Sequence, residues 1–238
     1  MTTFYIVGAG CGDPGLITVK GMDLLKRADL LIYAGSLINP ELIEASGAAT
    51  KLDSSKMNLD EICGAIRDGI SRGELVVRLH SGDPAIYGAI VEQMAILSQE
   101  GIEAEIVPGV SSLFGAAAAL KTQLTLRGVS ESVIITRPAG ATLAEDRIRE
   151  LSRIGETLVI FLGTEKLREI MERVEYPQDT PVAVIYHATW DDQKIVKGTV
   201  ADIAERADEA GITRTALIII GKAVLGIESD FTHSHLYS

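Results

Sequence analysis

The chain has 238 residues, 47% of them apolar, and a formal net charge of −11. That apolar content builds a large buried core and argues against disorder, while the acidic balance would repel the phosphates of a nucleic acid. No apolar run approaches the ~20 residues that span a bilayer, the amino terminus reads as a first strand rather than a signal peptide, and the cysteines, Cys11 and Cys63, make neither a disulfide framework nor a metal set.

Residues 4–7 are a short β-rich run. The glycine-rich turn Gly8-Ala9-Gly10-Cys11-Gly12-Asp13-Pro14-Gly15 follows, and Leu16, Val19, Met22 and Leu25 then recur at helical spacing. A dinucleotide fold needs an acidic residue at the end of the second strand to hold a ribose. The second strand, Leu30-Leu31-Ile32-Tyr33, runs into Ala34-Gly35-Ser36 with no acid there, and the absence of Gly-Lys-Ser/Thr excludes a Walker-type phosphate loop. Residues 53–57 form a polar loop, and Asn58 caps a helix that carries Leu59, Ile62, Ile66 and Ile70.

Residues 75–79 form a buried strand that leads into His80-Ser81-Gly82-Asp83-Pro84-Ala85-Ile86-Tyr87-Gly88-Ala89. Gly82 permits a turn that a β-carbon would obstruct. Asp83 before Pro84 signals a helix start, with the helix predicted over 86–97. Tight turns at the carboxyl ends of buried strands are where open α/β sheets bind ligands. Residues 103–107 form a further strand, and Pro108-Gly109-Val110-Ser111-Ser112 turns into a helix of small residues ending at Leu120. This alternation predicts a mostly parallel sheet, covered on both faces, over residues 1–120.

The polar connection 121–128 opens a second α/β domain, 121–238. Its predicted strands are 132–136, 157–162, 181–186, an exposed 194–199 and a buried central 216–221. Helices are predicted over 145–153, 165–174 and 201–210, with a mobile loop at 137–142. In the tail, His233 and His235 lack the Cys or carboxylate neighbours of a metal site.

No Gly-x-Ser-x-Gly nucleophile turn and no His-Glu-x-x-His metal set occurs. Cys63 falls on the apolar stripe of its helix. His80 and His187 each follow a strand, where a histidine is either structural or part of a site. Glycine-rich loops without acid–base machinery suit group transfer from an already activated cofactor. Methyl transfer from S-adenosylmethionine is such a reaction, in which the protein supplies alignment and excludes water.

The stretch Val7 to Pro14, Tyr33-Ala34-Gly35-Ser36-Leu37, and residues 78–89, 107–112, 181–190 and 216–221 resemble the tetrapyrrole methylases. Within that family, Tyr33 to Leu37, His80 to Ala89 and Tyr186-His187-Ala188-Thr189-Trp190 most resemble the branch that methylates C11 of precorrin-4 or cobalt-precorrin-4 in cobalamin biosynthesis. The resemblance implies two α/β domains with mixed sheets and an interdomain cleft, a homodimer, and S-adenosylmethionine as the cofactor, and the cysteine usage makes cytoplasm the default. It implies cofactor contacts from Ser81, Gly82, Asp83, Ile86, Tyr87, Ser111, Ser112, Leu162, Ala188 and Ala216, and from Cys11, which stands where the family usually has Pro.

A carboxylate-rich tetrapyrrole substrate requires cations, for which Lys20, Lys56, Arg127 and Arg137 are the candidates. Tyr33, Ser36 and Tyr87 are placed facing the macrocycle and His80 near the methyl group. The absence of a ligand cluster, the acidic charge and the lack of a long apolar run call for no bound metal, no nucleic acid and no membrane. Three alternatives stay open: the same fold acting on another acceptor (uroporphyrinogen III, a different precorrin, the diphthamide precursor or ribosomal RNA), a dinucleotide-dependent oxidoreductase, and a non-catalytic binding module.

Overall fold

The structure is a computed structural model that describes residues 2–141 and 143–233. Thr142 and His235 lie outside the described residues, as do the side chains of Thr2 and Ser36. The chain divides into two compact units, Met1–Ser112 and Leu113–Ser238. Among the described residues no helix is long and apolar enough to cross a membrane.

The first unit is a five-stranded sheet built from β1 (Thr2–Gly8), β2 (Leu30–Tyr33), β3 (Thr50–Asp53), β4 (Val76–His80) and β5 (Ile102–Val107). The strands lie in the order β3-β2-β4-β1-β5, and every pairing is parallel. α1 (Val19–Arg27) and α2 (Pro40–Ala45) cover one face, where Leu24, Leu25 and Leu42 meet Val7, Leu31, Val77 and Leu79. α3 (Leu59–Ser71) and α4 (Ile90–Ser98) cover the other, where Ile62, Ile66, Ile90 and Leu97 meet Phe4, Ile6, Ile32 and Val76. The connections leaving β1 and β2 run towards β3 over one face, and those leaving β3 and β4 run back over the other, as right-handed crossovers require. The loops leaving the adjacent strands β1 and β4 therefore diverge to opposite faces, which creates a topological switch point at their carboxyl ends.

Local signals explain most element starts. Asn58 and Glu61 form a reciprocal capping box at α3, with contacts of 2.9 and 2.8 Å. Neither of two Asp-Pro pairs starts an α-helix. Asp13 caps a single 3-10 turn (Pro14–Leu16), and α1 is capped instead by Thr18, whose hydroxyl accepts the Gly21 N–H at 3.1 Å. Asp83 accepts the Ala85 N–H at 2.8 Å, yet α4 starts only at Ile90, because Tyr87 and Ala89 are left-handed and interrupt any helix begun at Pro84.

The second unit holds β6 (Val133–Thr136), β7 (Thr157–Ile160), β8 (Pro181–Tyr186), β9 (Lys194–Thr199) and β10 (Ala216–Ile220), in the order β6-β7-β10-β8-β9. Here the sheet is mixed: β6 and β7 are parallel and the remaining pairs antiparallel. Strand mixing thus belongs to this sheet alone, since in the first unit a helical crossover returns each strand to the same direction.

α5 (Ser112–Leu120) lies almost wholly in the second unit. Its Leu113, Ala116 and Leu120 pack with Val159, Ala183, Leu217 and Ile219. The opposite face is covered by α6 (Ile148–Ser152), α7 (Leu167–Arg173) and α8 (Ile203–Glu209) through Ile148, Ile170 and Ile203. The loop after β6, read as mobile from its composition, is tied down. Asp146 accepts the Ala139 N–H at 2.8 Å and pairs with Arg173 at 2.7 Å, and the Lys166 ammonium donates to the Ala139 carbonyl at 2.7 Å.

Candidate functional site

At the switch point of the first unit three strand-end loops are fastened together, two by main chain and the third by a carboxylate. Gly10 and Gly82 exchange both backbone hydrogen bonds, at 3.3 and 2.7 Å, and Ala9 donates to the His80 carbonyl at 2.7 Å. The loops after β4 and β5 are joined by Asp83, whose second carboxylate oxygen accepts the Gly109 N–H at 2.9 Å. The fit is too close for side chains. A β-carbon on Gly8 would stand 2.6 Å from the Gly109 Cα and 2.7 Å from the Gly82 oxygen. Gly82 itself has φ +61, which favours glycine.

The structure therefore brings Cys11, Ser81, Gly82, Asp83, Ile86, Tyr87, Ser111 and Ser112 to one end of this sheet. Ser111 is buried and Tyr87 is 44% exposed. Tyr33, at the end of β2, and Lys56, in the turn after β3, lie along the same rim. So does the backbone of Ser36, in the turn Gly35–Leu37. Lys20 does not. Its ammonium pairs with Glu105 in the middle of β5, in an open groove of about 590 Å³ that Tyr5, Asp23 and Arg27 also line. It is withdrawn from the substrate-binding candidates.

His80 differs from its expected role as well. It is 93% buried on the α3/α4 side of β4, and that burial, followed by the nearby Arg78 charge, pushes its imidazole down to about 3. It is a neutral ring at physiological pH. Arg78, two residues earlier on the same face, is also buried; its Nη1 donates to the Ile32 carbonyl at 3.3 Å, and burial lowers it to about 10. Arg78 Nε and His80 Nε2 have no hydrogen-bond partner among the described residues.

In the second unit the carboxyl ends of β6, β7 and β8 share a rim with the amino end of β10, because β10 runs against its neighbours. Arg137, Leu162, Ala188 and Ala216 lie on this rim. Strained backbone is concentrated there: Leu162, His187, Thr189 and Thr215 are all left-handed without being glycine. Leu162 holds its apolar side chain 67% exposed. Arg127 lies at the opposite rim, before β6. It binds the end of the chain, its carbonyl accepting the Thr232 N–H at 3.0 Å and its Nη1 donating to the His233 carbonyl at 2.8 Å. It too is withdrawn from the substrate-binding candidates.

The rim of the second unit also carries a group that sequence reasoning left undecided. His187 stacks on Tyr186 with ring centroids 3.8 Å apart and on Trp190 at 5.1 Å, and its Nδ1 lies 2.9 Å from Asp192 Oδ1. The signal in the sequence was the run of aromatic residues. The left-handed turn that folds them together had none.

Residues 3–204 match the family of tetrapyrrole (corrin/porphyrin) methylases. The chain belongs to that family. Among tetrapyrrole methylases it is 51% identical, over 92% of its own length and 87% of the relative's, to the cobalt-precorrin-4 C(11)-methyltransferase of Methanocaldococcus jannaschii. The solved cobalt precorrin-4 methyltransferase CbiF superposes with a TM-score of 0.90 at 43% identity, covering 94% of this chain and 96% of that one. The uroporphyrin-III C-methyl transferase of Thermus thermophilus, complexed with S-adenosylhomocysteine, superposes with a TM-score of 0.80 at 27% identity, covering 93% and 98%.

Proposed function

We propose that the chain transfers the methyl group of S-adenosylmethionine to C11 of cobalt-precorrin-4 or its metal-free counterpart, a step of cobalamin biosynthesis. The observation that carries this reading is the match in sequence and fold, over nearly the whole chain, to enzymes named for that reaction. The residues fit the cofactor. Glycine-bent main chain at Gly82 allows close approach, Asp83 keeps its neighbours' N–H groups ordered, and Ile86, Tyr87 and Leu162 present apolar surface at the rims. The sulfonium supplies the leaving group when it is bound. Ser81, Gly82, Asp83, Ser111 and Ser112 at the first unit's switch point are read as its contacts.

The cofactor-site residues align and desolvate the reactants. Lys56 and Arg137, the rim cations that remain, are read as partners of substrate carboxylates. A cytoplasmic homodimer is the matching assembly, checked by light scattering of the purified protein.

The experiment is incubation with S-adenosylmethionine and tetramethylated precorrin, with and without cobalt, and with uroporphyrinogen III in parallel. Carbon-13 NMR of the product assigns the new methyl group. Methylation of uroporphyrinogen III alone, or no transfer at all, overturns the reading.

A further inference from the structure

Methyl transfer leaves a charge to be discharged, and one histidine on the second unit's rim is built to take it. The macrocycle carbon forms its new bond with a π electron pair, and the carbon–sulfur bond breaks with its pair remaining on sulfur. The positive charge of the sulfonium thus passes to the macrocycle, and the metal-free ring becomes neutral again by losing one proton from a ring nitrogen. A base that is neutral at working pH, with a directed lone pair, makes that loss easy.

Three described residues are histidines. His80 is buried and holds a proton only near pH 3. His233 sits beside Arg127 at the far rim. His187 adjoins Ala188 on the near one, its side chain 20% exposed.

We propose that His187 is the catalytic residue whose Nε2 accepts this proton, and that Asp192 is the residue that positions it. The assignment rests on the methyl-transfer reading. The Asp192 carboxylate lies 2.9 Å from Nδ1, an acceptor that favours the tautomer with its proton on that nitrogen and its lone pair on Nε2. The ring stacks on both Tyr186 and Trp190. Its backbone, at φ 47, is strained for a residue other than glycine or asparagine, and the His187 carbonyl accepts the Trp190 N–H at 3.0 Å to keep it so. Packing alone would not call for a carboxylate on Nδ1 together with a left-handed residue. The proton passes on from Nε2 to solvent, which reaches the partly exposed side chain.

The test uses the full chain with S-adenosylmethionine and tetramethylated precorrin in single turnover. Asparagine and glycine both tolerate the left-handed backbone, so His187→Asn and His187→Gly are the variants. Each is expected to slow methyl transfer about 100-fold or more while binding S-adenosylhomocysteine within about twofold of the parent by calorimetry. Added imidazole is expected to restore about tenfold in His187→Gly. Nitrogen-15 spectra should show the Nδ1–H form of His187 in the parent and its loss in Asp192→Asn, which lowers kcat with KM unchanged. Full turnover in His187→Asn, loss of cofactor analogue affinity in step with rate, or an Nε2–H ring in the parent would overturn the assignment. If the parent itself transfers no methyl, the functional reading fails and this assignment falls with it. If neither His187 variant folds, Asp192→Asn decides: parental kcat with a changed tautomer overturns it.

Discussion

Asp83 accepts the N–H of Gly109 at 2.9 Å, so one carboxylate in the loop after β4 fixes the loop after β5. Its other oxygen holds the Ala85 N–H. Asp83→Ala removes both bonds and leaves two main-chain donors without them. Charge-assisted bonds of this kind contribute about 1.5–3 kcal/mol. We expect a stability loss near the lower end, about 1.5 kcal/mol in urea unfolding, and a clear loss of S-adenosylhomocysteine affinity. Unchanged affinity would separate this clamp from the cofactor site.

Glycine positions divide sharply. Gly8→Ala drives a β-carbon into the Gly109 main chain and should destabilise by about 2 kcal/mol or more. Gly64, inside α3, has nothing within 4 Å of an added β-carbon, so Gly64→Ala should stabilise by about 0.5–1 kcal/mol. Thermal melts of the two variants should move in opposite directions, and a shift in the same direction would contradict the packing described at the rim.

Leu162 is held left-handed with an exposed apolar side chain, a combination that costs stability without contributing to the core. Leu162→Gly relieves the backbone and should raise stability by about 1 kcal/mol. The same change should weaken S-adenosylhomocysteine binding. A variant that is less stable than the parent would show that the side chain packs after all.

The pH dependence of stability should carry the mark of His80. Its folded value, about 3, lies below the ordinary 6.5, so between those values the unfolded chain binds the proton that the folded chain refuses. Stability is therefore full above pH 6.5 and falls as pH drops towards 3. Carboxylates held low against the cost of burial, such as Asp146 by the Ala139 N–H and Arg173 and Glu156 by Ser130, begin to lose their contributions only as pH falls through about 5. Denaturant unfolding between pH 6.5 and 4.5 should show a falling midpoint that is nearly flat in His80→Leu. An identical slope in both proteins would place the imidazole in water.

Much of this architecture was legible because its signals are local. Asn58 three residues before Glu61 marks the start of α3 whatever surrounds it, and the apolar run of β10 could only be a central strand. The exceptions are tertiary. Asp83-Pro84 carries every mark of a helix start, but the left-handed Tyr87 and Ala89 that delay α4 have no propensity to announce them. The small residues of α5 suit either unit, so only contact with Val159 and Leu217 decides their allegiance. α2 and β3, short and partly exposed, carried little periodicity, although Asn39 before Pro40 was a readable cap.

The rim residues were reached through the family resemblance more than through chemistry, and the cations show why. Arg127 and Arg137 look equivalent in the sequence, ten positions apart. A single strand, β6, separates them, which sends them to opposite ends of one sheet. Arg78 shows the converse: it reads as part of a strand, and nothing local says that its guanidinium stays under α3 and α4 against a lone carbonyl.

The placement of β1 has a consequence for how the protein is made. β1 is made before its partners, since it pairs only with β4 and β5, so Tyr5 waits for Val77 and Thr3 for Glu103. The first half of the sheet cannot close around its own beginning until more than a hundred residues have been synthesised. Until then an apolar ribbon with two bare edges stands open to other nascent chains. Slower synthesis up to residue 107 should then lengthen the time in which that edge can aggregate.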